Sequence, residues 1–331
     1  MAALIGGIRM KLTFRNGQMS LEGPWSAPEI LDLNAIPTGD MPGDKVSIGE
    51  KHVAKAQAIF PRLLELLAPI LNSQPHHRAV ISVHGGSGVG KSEIGSLLAF
   101  YLNQLGLGSY ILSGDNYPHR IPKTNDAERT RVFREAGIKG LVAAGKFTIE
   151  RNQSVQDMQA QDQDANPALC NDLPWLAVYQ AAGRKALSRY LGTPNEIDFA
   201  EVNDILARFK NGAEMIWLKR FGREEKAFWY EAKDFRPIQV LVIEWTHGNN
   251  DNLVGVDIPI LLNSTPQETL EHRRLRNRDG AVDSPFTTMV LQIEQGLLQA
   301  QAHKAKLIVT KSGELVSYEQ YLQLMAEQAI G

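Results

Sequence analysis

The stretch Ala79-Val-Ile-Ser-Val-His84-Gly85-Gly86-Ser87-Gly88-Val89-Gly90-Lys91-Ser92 decides the fold, because a β-branched run breaks into glycines and closes on Lys-Ser. This is G-x-x-x-x-G-K-[ST] with a strand in front and a helix behind. Gly85, Gly86, Gly88 and Gly90 open backbone conformations that a Cβ bars, so the N–H groups of the loop, Ser87 and Val89 included, can converge on phosphate oxygens. Lys91 adds a point charge for the β- and γ-phosphates, and Ser92 a hydroxyl for Mg²⁺. Behind them Ile94, Leu97, Leu98, Tyr101, Leu102 and Leu105 recur at helical spacing, so the loop opens a helix whose N-terminus favours anions. The pattern implies a bound nucleoside triphosphate and leaves its use open.

The 331 residues, 43% hydrophobic and 22% charged, have the balance of a globular chain, with room for one large α/β domain carrying insertions or for two domains. A formal charge of -2 offers no bulk attraction for nucleic acid or an anionic membrane surface, which points to a small-molecule partner. Cys170 is the only cysteine, so no disulfide can form within the chain and a reducing, cytoplasmic setting is favoured. No apolar run approaches the roughly 20 residues of a spanning helix, and Met1 to Lys11 lacks the apolar core of a secretion signal. A homo-oligomer is compatible with this composition.

Residues 1–46 read as an N-terminal extension, a hairpin about Asn16-Gly17 followed by a Pro/Gly-rich loop, ahead of a domain over 47–331. A long helix is expected from Ser47, with Glu50 completing a capping box and Pro61 a possible kink site. Tyr110–Leu112 reads as a second strand, so the phosphate-loop unit is βαβ and its sheet parallel, with ligands at the carboxyl ends of the strands. Ile238–Ile243, Val256–Leu262 and Leu307–Val309 supply further strands, with Pro259 pushing its strand toward an edge or a late start. Residues 120–235 read as a substrate-covering insertion whose Gln/Asp-rich middle, 153–172, is expected to be mobile. Within it Asp198 caps a helix closed by Gly212, and an aromatic hairpin over 215–230 follows. The fold class is α/β: three layers about a mostly parallel five-stranded sheet, with a helical lid.

Two strand-end acids carry the chemistry. Glu244, after Val240-Leu-Val-Ile243, suits Mg²⁺ beside Ser92, and Asp115, after the second strand, suits the base that orients an attacking hydroxyl. Arg273, Arg274, Arg276 and Arg278 crowd one helix; Arg274 and Arg278 share a face, and such crowding repels unless an anion compensates. Lys219, Arg220 and Arg223 bring cations to the presumed acceptor site, which suggests an anionic acceptor such as a sugar phosphate. His247, at a strand end, is a candidate for acceptor contact, as is Asn249, whereas His84 reads as a packing residue.

In their order, Gly85–Ser92, Ser113-Gly-Asp115-Asn-Tyr117, Asp198-Phe199, Lys210-Asn-Gly212, Val-Ile-Glu244 and Arg273-Arg274-Leu-Arg276-Asn-Arg278-Asp279 resemble the phosphoribulokinase and uridine kinase branch of phosphate-loop kinases. The resemblance implies ATP and Mg²⁺ as cofactors and transfer of the γ-phosphoryl group to a small-molecule hydroxyl. It makes Lys91, Asp115, Arg274 and Arg278 the catalytic set, and Tyr117, beside the acid, a substrate contact. Trp217-Leu-Lys219-Arg220-Phe-Gly-Arg223 departs from the Pro-x-Tyr-Asp run of uridine kinases, and Trp245-Thr-His247-Gly-Asn from the family's Glu-Gly turn. The alternatives are an adenylylsulfate kinase-like enzyme, a regulatory NTPase and a nucleotide-binding module without catalysis. No Asn-Lys-x-Asp guanine reader and no Ser-Gly-Gly-Gln occurs in the chain.

Overall fold

A computed structural model describes the chain except residues 1–10, 16–17, 24, 31, 33–35, 45, 223–227, 266, 272–273, 275–283 and 331. Among the described residues the strands are β1 (Lys11–Arg15), β2 (Gln18–Glu22), β3 (Ala79–Gly85), β4 (Ser109–Ser113), β5 (Met215–Phe221), β6 (Phe228–Asp234), β7 (Val240–Glu244), β8 (Ile258–Leu262), β9 (Leu307–Val309) and β10 (Leu315–Val316). The helices are α1 (Glu50–Ser73), α2 (Lys91–Gln104), α3 (Pro122–Ala143), α4 (Ile149–Ala160), α5 (Leu176–Ser188), α6 (Phe199–Lys210), α7 (Pro285–Gln301) and α8 (Tyr318–Ile330).

The protein is α/β. Its central sheet runs β10-β9-β8-β3-β7-β4, and β4, β7, β3, β8 and β9 are parallel, as the five expected strands require. The two-residue β10 adds an antiparallel edge that is too short to leave a periodic signal. The period of two along β3 separates the layers. Ala79, Ile81 and Val83 pack with α1 and α2, whereas Val80 packs on the opposite face with Val202, Ile205 and Leu206 of α6. Pro259 does not sit at an edge, since β8 lies between β3 and β9. Its carbonyl is turned toward Lys306 N (2.8 Å), so its missing N–H falls on the β9 side, ahead of the first residue of that strand.

Local signals hold at several ends. Asp198 Oδ1 accepts from Glu201 N (3.0 Å), and Gly212 takes φ 84° after α6. Thr265 and Glu268 bond reciprocally, Thr265 N to Glu268 Oε2 at 2.8 Å and Glu268 N to Thr265 Oγ1 at 3.2 Å. Helix α1 differs from expectation: it starts at Glu50 behind Gly49, whose N–H donates to His52 Nδ1 (3.1 Å), so His52 does what Glu50 was expected to do for Ser47. The hairpin at residues 11–22 forms, with Arg15 opposite Gln18; its turn residues Asn16 and Gly17 lie outside the described residues.

The polar stretch expected to be mobile is folded. Residues 149–160 and 176–188 are helical, and Phe133, Leu141, Val155, Leu176 and Tyr179 bury one another. Close approach of α3 and α5 explains why the hydrophobic signal is thin. A Cβ on Gly137 would fall 2.5 Å from the Tyr179 ring, and one on Gly183 2.5 Å from the Phe133 ring. Glycines here let backbones approach where larger side chains would otherwise form the stripe. No helix among the described residues is long and apolar enough to cross a membrane.

Candidate active site

The carboxyl ends of β3, β7 and β4 meet where the quoted loop turns into α2. Gly88 and Gly90 take φ 77° and 96°, the left-handed region the loop was expected to need, and a Cβ on Gly85 would lie 2.5 Å from Leu262 O. Lys91 Nζ donates to Gly86 O (3.0 Å), so its ammonium already lies across the loop. The register Val83↔Glu244↔Ser113 then brings the second strand-end acid to the first. Ser92 Oγ donates to Glu244 Oε2 and Ser113 Oγ to Glu244 Oε1, both at 2.7 Å. Burial raises the Glu244 carboxyl to about 7, with the Asp115 charge adding to it and the two hydroxyls opposing. A buried carboxylate with hard oxygen neighbours, disfavoured by a second carboxylate, fits a hard divalent cation. No group of three or more His, Cys, Asp or Glu able to hold a metal occurs among the described residues.

Asp115 sits in the 3-10 turn Gly114–Asn116 and is exposed. The turn is held from both sides. A Cβ on Gly114 would fall 2.0 Å from Trp245 Cγ, so only glycine lets the turn lie on the indole. Asn116 Oδ1 accepts from Phe221 N (3.1 Å), and its amide donates to Asp40 Oδ1 (3.2 Å).

Asp40, in the stretch read only as a draped loop, is a buried anchor. It also accepts from Ser113 N (2.7 Å) and the Tyr110 hydroxyl (2.8 Å), and it pairs with Arg220 at 3.0 Å. Burial raises Asp40 against the pull of Arg220. Burial likewise works against the Arg220 guanidinium, yet Asp40, Tyr110 and Glu231 leave it above its ordinary value. Four donors, Ser113 N, the Tyr110 hydroxyl, the Asn116 amide and Arg220, converge on Asp40 and favour its ionised form.

Asp115 and His247 line a cavity of ≈ 360 Å³ that reaches Ser87 of the phosphate loop. Helix α3 supplies Asp126 and Arg129 to it, the turn before α6 supplies Glu196, and α7 supplies Glu294. Arg129 Nε donates to Glu196 Oε1 (2.6 Å), and its other nitrogens lie 3.6 Å from Asp126 and 3.7 Å from Glu294. Burial raises Glu294, opposed by Arg129. Burial lowers His247 to about 4, so its imidazole is neutral at pH 7.

Lys219 and Arg220 of the hairpin do not line this cavity. Lys219 is buried, donates to Pro118 O (3.1 Å), and lies 4.5 Å from the Phe221 ring centroid. Arg220 is 3% exposed and engaged by Asp40 and Glu231. Both were expected at the acceptor site, but the two adjacent residues, on opposite faces of β5, are both buried against protein. Tyr117 is likewise fully buried in that layer and does not line the cavity. Asn249 donates to Gln301 O (2.7 Å), an anchoring contact. Arg223, Arg273, Arg276 and Arg278 lie outside the described residues, and Arg274 is exposed. His84 is fully buried in β3, as a packing residue would be. Asp40, Ser113, Arg129, Glu196 and Glu294 escaped the sequence reading, because nothing in a charged helix face or a loop aspartate marks which of them turns inward.

No protein-family model matches the chain. The sequence is 39% identical over 259 residues to a bifunctional alpha-galactosidase/sucrose kinase of Mediterraneibacter gnavus, covering 78% of this chain and 23% of that protein. It is thus similar to a protein of which it spans less than a quarter of the length. It is 29% identical over 142 residues to the adenylyl-sulfate kinase of Erwinia tasmaniensis, covering 37% of this chain and 71% of that one. These relatives are kinases. Among solved structures, D-glycerate 3-kinase from Cryptococcus neoformans aligns over 80% of this chain and 98% of its own at 14% identity and a TM-score of 0.43.

Proposed function

We propose that the protein is a kinase that transfers the γ-phosphoryl group of ATP to a hydroxyl of a small molecule. The observation that carries this reading is the placement of Asp115 in one cavity with Ser87, while Ser92 of the same loop bonds Glu244 and Lys91 lies across the loop on Gly86 O. A triphosphate cradled by Gly85–Ser92 would present its γ-phosphoryl group toward that cavity. Asp115 would hold the attacking hydroxyl and take its proton, and Lys91 would balance charge developing on the phosphoryl oxygens. Ser92 and Glu244 would hold Mg²⁺, which would supply charge neutralisation on the phosphates. Arg274 and Arg278 would close over the phosphates. Residues 1–46 serve as an extension that braces the Asp115 turn through Asp40, and 120–235 cover the acceptor. The names of the relatives support phosphotransfer. The charge expected from Lys219 and Arg220 for an anionic acceptor is engaged elsewhere, so the cavity itself decides the acceptor's chemistry.

The test is a γ-phosphoryl transfer screen over nucleosides, sugars, sugar phosphates and organic acids, run beside Lys91→Ala. Transfer to at least one acceptor that Lys91→Ala abolishes supports the reading. ATP hydrolysis that no acceptor accelerates would overturn it.

A further inference from the structure

Resting on the kinase reading, we propose that the acceptor is a neutral polyhydroxyl compound recognised by the Arg129–Glu294 pair, and that the same pocket rejects anionic acceptors. Among the described residues the cavity is lined by four carboxyl side chains, Asp115, Asp126, Glu196 and Glu294, against one guanidinium, that of Arg129. A phosphate or carboxylate entering it would meet like charge on most sides, with one cation already surrounded by acids.

The pair itself has the bonding pattern of a hydroxyl. Arg129 is anchored through Nε by Glu196, and Glu196 is fixed in turn by Asn125 Nδ2 (3.1 Å) and Gly192 N (2.7 Å). The terminal nitrogens of Arg129 approach Asp126 and Glu294 only at 3.6 and 3.7 Å, beyond good hydrogen-bond distance. Their side chains are 19% (Arg129) and 12% (Glu294) exposed, so water supplies little compensation. A donor and an acceptor thus stand side by side with bonding capacity left over. A hydroxyl both accepts and donates, so one hydroxyl bridges the pair, accepting from Arg129 and donating to Glu294. A phosphate or carboxylate could accept from Arg129 but has no proton for Glu294. The volume, ≈ 360 Å³, lies near the lower end of the roughly 300–1,000 Å³ of small-molecule sites, room for a compound of one or two sugar rings.

The experiment uses the full chain with ATP and Mg²⁺ and measures kcat and KM for neutral mono- and disaccharides, their phosphate esters and the corresponding uronic acids. The expected result is a neutral acceptor favoured over its own anionic derivative by about 100-fold or more in kcat/KM. In Glu294→Gln, KM for that acceptor rises roughly tenfold, KM for ATP stays unchanged, and discrimination against the anionic derivative narrows. An anionic derivative used as well as the neutral compound overturns the inference and leaves the kinase reading standing. Equal changes in both KM values would make Glu294 a structural residue and also overturn it. If no compound of any class is phosphorylated, the kinase reading falls, and this inference with it.

Discussion

His247 offers a test in which the environment of the cavity is read from stability alone. Burial holds its imidazole at about 4, below the ordinary 6.5. The unfolded chain therefore binds a proton at pH 5 that the folded chain refuses, and stability is lost as pH falls from 6.5 toward 4. At pH 5 the difference between 6.5 and about 4 amounts to roughly 2 kcal/mol, and at pH 7.5 it is close to zero. For a chain of 331 residues that corresponds to about 3 °C in Tm, from an unfolding entropy of roughly 2.1 cal/mol/K per residue. Glu244 titrates in the opposite sense. Its folded-state value, raised to about 7, stabilises the protein as pH falls through 7, so the wild-type curve alone mixes the two effects. The difference between wild type and His247→Gln isolates the imidazole. Urea unfolding of both proteins at pH 7.5, 6.5, 5.5 and 5.0 should show the variant gaining about 2 kcal/mol relative to wild type across that range. Parallel pH dependences would refute the buried neutral imidazole.

Other outcomes follow from the same geometry. Asp115→Asn should lower kcat for transfer by about 10²–10⁴-fold while ATP binding, measured by calorimetry, is kept; transfer at the wild-type rate would remove Asp115 from the reaction. Asp40→Ala removes the buried carboxylate of the Arg220 pair and leaves the half-exposed Glu231 as its counter-charge, and breaking such a pair should cost about 3–5 kcal/mol, read as a lower urea midpoint. An unchanged midpoint would show that Asp40 does not anchor the turn. Gly114→Ala places a methyl 2.0 Å from Trp245 Cγ, so the turn must shift, costing about 1–3 kcal/mol and reducing transfer. Indole fluorescence identical to wild type would argue against that contact.

The sequence by itself determined the parallel strands of the sheet and the glycine-rich loop with its strand-end carboxylate. Gly85–Ser92 needs left-handed backbone that glycine alone supplies easily, and the strand and helix around it have their own periods, so local chemistry sufficed. Glu244 was legible because an uninterrupted apolar strand delivers its next residue to the sheet's carboxyl end. Tertiary structure decided the cavity beside Asp115. Lys219 and Arg220 look like a cationic site in sequence, yet β5 packs them into the second core layer, where Pro118 O, Asp40 and Glu231 take them. Arg129, Glu196 and Glu294 are far apart in the chain, and only the packing of α3 and α7 around one cavity makes them neighbours. Charge in a sequence has a sign but no direction. Which side chains turn inward, and against which partners, depends on contacts between elements whose spacing no local pattern encodes.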